Sequence, residues 1–112
     1  MGRYRRLPDI NHRSALKRGH AERAAINTPI QGGAADIVTR AMILIEQNER
    51  LKRLGWRLIL QIHDEVILEG PQVSSEEACS IVVECMQNPF SQPLRVGLDV
   101  SANIAPSWFE AK

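Results

Sequence analysis

The sequence predicts an α+β fold, an antiparallel sheet with helices on one face. Three patterns carry this expectation. Trp56, Leu58, Leu60 and Ile62 alternate with Arg57, Ile59 and Gln61, and a second strand pattern, Glu65 to Glu69, begins after only two residues. Apolar residues recur at spacings of three and four along residues 30–45 and again along 78–86, which marks two amphipathic helices. Helices gathered to one side of a hairpin leave its other face open to a ligand or to another domain.

The elements follow in order. Residues 3–7 predict a short strand, stopped at Pro8-Asp9, and residues 11–19 a loop with scattered charge. A short helix over 20–27 must end before Pro29, because the residue preceding a proline is pushed out of helical geometry. A long helix is expected over 29–53. Thr28 is its N-cap, Pro29 takes the tolerated first position and Gln31 closes a capping box. Its buried face reads Ile30, Ala34, Ile37, Ala41, Leu44 and Ile45. Gly32 and Gly33 weaken the first turn, which suggests a close neighbour at that backbone or simply a loose helix end.

Leu54-Gly55 ends this helix. The hairpin then turns on His63-Asp64 alone, a poor pair where Asn-Gly or Asp-Gly is usual. Local rules broken in this way are expected at functional sites. Gly70-Pro71 closes the hairpin. Ser74-Ser75-Glu76-Glu77 reads as a second capping box, opening a helix over 74–88 with Ala78, Ile81, Val82, Cys85 and Met86 inward. Leu94, Val96, Leu98 and Val100 predict a last strand. The polar tail, Pro106 to Lys112, has Trp108-Phe109 as its expected anchor. The predicted order is β, α, α, β, β, α, β.

A length of 112 residues suits one domain at most. It divides into a basic strand-and-loop arm, residues 1–20, and a core, residues 21–112. Residues 1–23 hold seven basic side chains against Asp9 and Glu22. That is a net charge of +5, and it leaves −4 for the rest of a chain whose total is +1. A basic arm before an acidic body suits an anionic partner, although a solvated tail has the same composition. Cys79 and Cys85 have no disulfide or metal spacing, so buried reduced thiols in a reducing compartment are expected. No apolar run reaches membrane-span length, and the start has neither a signal-peptide core nor the character of a transit peptide.

Asp64 and Glu65 carry the most pointed chemistry. A carboxylate fixed on a tight turn suits a hard cation such as magnesium, which takes one or two protein carboxylates and fills its remaining positions with water and phosphate. Asp64 is thus sufficient as half of a two-metal phosphoryl-transfer site, and the other half needs a carboxylate from another element. Asp9, Asp36 and Asp99 have no motif around them. The plainer alternative is a polar turn.

Motif and spacing together resemble a known family. Gln61-Ile62-His63-Asp64-Glu65-Val66 resembles the Q-V-H-D-E hairpin of family A DNA polymerases. The run from Glu22 to Ile37 resembles that family's E-R-A-A-I-N-x-P-x-Q-G-x-A-A-D-I segment, and Gly2 to Ile10 its G-R-x-R-x-L-P-D-I stretch. The resemblance covers nearly the whole chain. Leu68-Glu69-Gly70-Pro71 and the Trp-Phe-Glu-Ala-Lys ending look most like plant organellar members, which implies a mitochondrion or plastid.

The resemblance implies a partial polymerase palm and assigns roles. Asp64 is implied as a ligand of the catalytic Mg2+ ions, Glu65 as a supporting residue near the primer end, and His63 as a contact to the primer terminus or its phosphate. Arg23, Asn27 and Gln31 match DNA-binding positions in the minor groove near the nascent pair. Acceptors there occur at every base pair, so such contacts tolerate any sequence. The implied partners are primer-template DNA and, in the intact enzyme, deoxynucleoside triphosphates.

Each residue keeps a plainer alternative. Arg23 pairs with Glu22 or Asp36, Asn27 is a helix C-cap, Gln31 a capping-box partner and His63 a turn residue. The family's earlier palm aspartate and triphosphate-binding fingers helix are not found, and Met1 falls where the family has an interior position. The sequence therefore reads as a truncated product, a gene fragment or an incompletely delimited gene, with an inactive isolated chain. Two other readings are a non-catalytic nucleic-acid-binding module and a non-functional remnant. A histidine-aspartate phosphohydrolase needs more ligands than His12 and His20 supply.

Overall fold

The computed structural model describes residues 2–111. Met1 and Lys112, the ends of the basic arm and of the polar tail, lie outside the described residues. The chain divides into two compact units, Met1–Asp36 and Ile37–Lys112.

The first helix, α1, is longer than the sequence patterns predict, running unbroken from Ala15 to Gln47 with Pro29 inside it. The expected break at residue 28 does not occur. Proline removes one helical hydrogen bond and crowds the carbonyl four residues back, at a cost of about 3 kcal/mol. Here Pro29 and Ala25 are both exposed, so water reaches that side of the helix. Thr28 is accordingly no N-cap. Its hydroxyl accepts a hydrogen bond from Arg5 at 2.8 Å, and Arg3 pairs with Asp36 at 2.7 Å. Residues 2–7 form no strand. These two side-chain bonds tie the segment to α1 instead.

Ile30 and Ala34 are exposed, contrary to the predicted buried face, whereas Ala41 and Ile45 are buried. Nothing lies within 4 Å of where a side chain would grow from Gly32 or Gly33. The expected close neighbour is not found among the described residues.

In the second unit α1 gives way at Asn48 to α2, Glu49–Leu54. Sequence periodicity passes straight through this break. Asn48 is extended, and its side-chain oxygen accepts the Leu51 N–H at 3.0 Å, satisfying a donor that a new helix start leaves open. Gly55 ends α2 in the left-handed conformation, φ 81°. Its N–H donates to the Lys52 carbonyl and that of Trp56 to the Leu51 carbonyl, both at 3.1 Å. This is a Schellman stop, with Trp56 and Leu51 in one apolar cluster behind it.

Strands β1, Arg57–Ile62, and β2, Glu65–Glu69, form a two-stranded antiparallel sheet. The register pairs Leu58 with Leu68, then Leu60 with Ile67, leaving Ile59 as a bulge. The bulge reverses the alternation expected for β1. Leu58, Val66 and Leu68 pack on the core, but Leu60 shares the opposite face with Ile67, as Ile62 does with Glu65. That second face is therefore more apolar than strict alternation predicts.

Helix α3, Ser75–Gln87, covers the first face with Ala78, Ile81, Val82, Cys85 and Met86, the predicted residues. Its capping box is not made. The Ser74 hydroxyl accepts the Trp56 indole N–H at 2.9 Å and lies 3.3 Å from the Leu54 and Pro71 carbonyls. Arg50 pairs with Glu77 between α2 and α3. Gly70 lies against the Trp56 ring, so closely that any side chain there overlaps the indole. Burial pushes the Cys85 thiol up, and neighbouring Glu84 adds to the shift, so this cysteine is a poor thiolate.

Residues 94–100 form no strand. Alternation alone does not make one, because a strand needs a ladder partner and none lies beside this segment among the described residues. A short helix, α4, runs from Trp108 to Ala111. Phe109 is 90% exposed and anchors nothing.

Candidate functional site

The residues singled out by sequence fall into two groups, one in each unit. The hairpin tip holds the first group. Ile62 pairs with Glu65, so His63 and Asp64 alone make the turn. His63 sits at φ 53°, the one non-glycine residue with positive φ among those described. Positive φ at the first turn position alone matches the sign pattern of a type II′ turn, where glycine is usual. A side chain held there costs about 1–2 kcal/mol. Gln61 donates its side-chain amide N–H to the His63 carbonyl.

The side chains of His63, Asp64 and Glu65 are exposed, and none bonds another described residue. The turn thus presents two free carboxylates and an imidazole on a short, paired stalk.

No group of three or more histidine, cysteine, aspartate or glutamate side chains gathers to hold a metal among the described residues. The donor chemistry at the tip nevertheless fits magnesium, which needs only one or two carboxylates from protein. Asp64 offers the kind of oxygen that such an ion takes, and any further protein ligand would have to come from beyond this hairpin.

The second group lies on α1. Because the helix is continuous through Pro29, Arg23, Asn27 and Gln31 stand four residues apart on one exposed stripe. At 1.5 Å per residue the stripe is about 12 Å long. Asn27 is not a C-cap and Gln31 closes no capping box, for both are in the helix interior with unbonded side chains. Arg23 pairs with neither Glu22 nor Asp36. It lies 3.1 Å from His20 Nδ1, while Glu22 faces Arg18 and Asp36 faces Arg3. The plainer structural roles open to Asn27 and Gln31 are thus not used.

Sequence reasoning missed three features here. The Gln61 bond was signalled only by the presence of Gln61 in the motif. The His20–Arg23 contact had a signal in its i, i+3 spacing. The exposed pair Ile26 and Ile30 flanks the polar stripe, and periodicity had placed Ile30 inside.

Comparison with known proteins extends this picture. The profile of DNA polymerase family A matches residues 1–110. DNA polymerase I A, chloroplastic, from Oryza sativa subsp. japonica is 57% identical across 100% of this chain, which covers 11% of that protein. DNA polymerase I from Geobacillus stearothermophilus is 48% identical over 98% of the chain and 12% of its own length. Among solved structures, the POL domain of Pol1 from M. smegmatis, in complex with DNA primer-template and dNTP, superposes with a TM-score of 0.86. It is 41% identical over 96% of this chain and 18% of that one. The chain therefore spans about a tenth of the length of the curated relatives it matches. With a profile match over almost every residue and a polymerase fold at its structural neighbour, this chain belongs to DNA polymerase family A.

Proposed function

We propose that this chain is the part of a DNA-directed DNA polymerase palm that offers one metal-binding aspartate and a primer-template contact strip. The arm is residues 1–20 and the core residues 21–112. The observation that carries the reading is the hairpin tip, a strained turn that holds the Asp64 carboxylate exposed and unbonded, with the His63 and Glu65 side chains beside it. Backbone strain of this kind persists where the surrounding structure over-determines it, and it gathers at functional sites.

In this reading Asp64 holds divalent metal, Glu65 supports the site from beside it, and His63 meets the primer terminus. When bound, a pair of Mg2+ ions lowers the charge on the attacking and leaving oxygens of nucleotidyl transfer. The chain's own contribution is placement. Asn27 and Gln31 offer amide donors, and Arg23 a guanidinium, to minor-groove acceptors that every base pair presents. Arg3 and Arg5 are occupied by α1, which leaves Arg6, Arg13 and Lys17 for phosphates, contacts that position without specifying sequence. The partners are primer-template DNA and, within a complete enzyme, deoxynucleoside triphosphates. Among the described residues no helix is long and apolar enough to cross a membrane. A plastid or mitochondrial setting follows from the organellar names of the plant relatives.

The 112-residue chain alone does not extend a primer, because positioning and charge neutralisation are nearly all of this catalysis and one hairpin supplies a small share of both. The test is a hybrid. Residues 1–110 replace the matching segment of the rice chloroplastic relative, and Mg2+-dependent primer extension is measured. Extension within about tenfold of the parent is expected, a loss of at most ~1.4 kcal/mol in the transition state. A hybrid that folds and binds primer-template but extends nothing contradicts the reading.

A further inference from the structure

We infer that Gln61 is a positioning residue for Asp64, acting through the backbone of the turn. The inference rests on the reading of Asp64 as a metal ligand. Gln61 lies in the paired ladder opposite Val66, and Val66 packs on the core. Its backbone is therefore fixed from below. Its side-chain amide reaches two residues on and donates to the His63 carbonyl. That carbonyl belongs to the peptide plane joining His63 to Asp64, so the bond sets the direction in which the Asp64 side chain leaves the chain.

The turn needs such a tether. His63 is left-handed without being glycine, and no side chain at the tip bonds another described residue to hold it. Among the described residues, the Gln61 amide is the one side-chain bond that reaches the two turn residues. A metal ligand has to be held within about 0.5 Å of its working position, and a misplacement of about 1 Å can cost on the order of a hundredfold in rate. A peptide plane free to rotate at His63 moves the carboxylate by more than that tolerance.

Two variants separate tethering from bulk. Gln61→Met keeps the length and brings no charge but removes the donor, whereas Gln61→Lys keeps a donor. The first readout is 15N relaxation and HN–Hα coupling of residues 62–66 in the complete 112-residue chain without metal. In Gln61→Met the order parameters of His63 and Asp64 are expected to fall from about 0.85 to below about 0.6, the range of flexible backbone, with α3 unchanged. Gln61→Lys is expected to stay near the parent. An unchanged turn in Gln61→Met overturns the inference.

The second readout is primer extension by the rice hybrid. Gln61→Met is expected to lower kcat about 10- to 100-fold with the primer-template KM unchanged, and Gln61→Lys to recover most of it. A loss confined to KM overturns the positioning role. If Asp64→Asn proves silent while Gln61→Met still loosens the turn, the metal reading fails and the tether stands.

Discussion

In the rice hybrid, Asp64→Asn lowers primer extension on the order of a thousandfold while primer-template affinity stays within about threefold. Asparagine keeps the size of the side chain and one of its oxygens but removes the charge. A hard divalent ion prefers charged oxygen, and the deficit appears where phosphate charge must be offset in the transition state. A thousandfold corresponds to about 4 kcal/mol, within the range for removal of a single preorganised electrostatic partner from an active site. Glu65→Gln removes the same charge one residue along. It is expected to cost less than Asp64→Asn, because Glu65 stands in the β2 ladder opposite Ile62 and supports the tip instead of forming it. Gel-resolved extension kinetics, paired with anisotropy measurements of DNA binding, check both outcomes. Equal losses in the two variants contradict the division of roles.

Leu51→Ala in the 112-residue chain lowers the stability of the second unit by about 3 kcal/mol. Leu51 is 1% exposed, the largest fully buried apolar side chain described, and it gathers Ile45, Ala78, Trp56 and the inner face of the hairpin around it. Truncating a buried leucine costs about 2–5 kcal/mol, part transfer and part cavity. In a unit with so few buried residues, little can close over the gap. At about 4–8 °C per kcal/mol for a unit of this size, the melting temperature drops by roughly 12–24 °C. Val73→Ala is the control, since Val73 is 88% exposed, and its effect stays within about 0.5 kcal/mol. Tryptophan fluorescence during thermal unfolding reports on this directly, because the Trp56 ring sits in the same cluster. A Leu51→Ala chain that melts with its parent removes Leu51 from the centre of the core.

The parts legible in the sequence were those decided locally. Gly55 announces its stop because glycine alone takes φ 81° without strain. The two-residue spacing between β1 and β2 leaves no room for another connection, and the α3 face follows from 3.6-residue periodicity. Pro29 misled because a rule about average cost ignores an exposed site where water reaches the stranded carbonyl. Asn48 and Ile59 misled for a related reason. A side chain that caps a new helix, or one extra residue in a ladder, changes the phase of everything after it without altering composition. The expected strand over 94–100 shows the remaining limit, since alternation describes a willing strand and its partner must come from elsewhere.

For the site, His63-Asp64-Glu65 was readable from spacing and motif together, and the unusual turn chemistry flagged the strain now seen at His63. Arg23, Asn27 and Gln31 were readable as identities. The four-residue spacing of Asn27 and Gln31 already suits a shared strip, and what the structure adds is a single helix, because α1 continues through Pro29.

The most direct measurement is a change of metal at the hairpin tip. In the rice hybrid, Asp64→Cys replaces a hard oxygen with a soft sulfur, which favours softer ions over magnesium. Extension is expected to collapse in Mg2+ and to return in part when Mn2+ or Cd2+ is supplied, whereas the unsubstituted hybrid shows no such preference. Parent-like extension by Asp64→Cys in Mg2+ contradicts the account, for it means that no catalytic ion rests on this side chain.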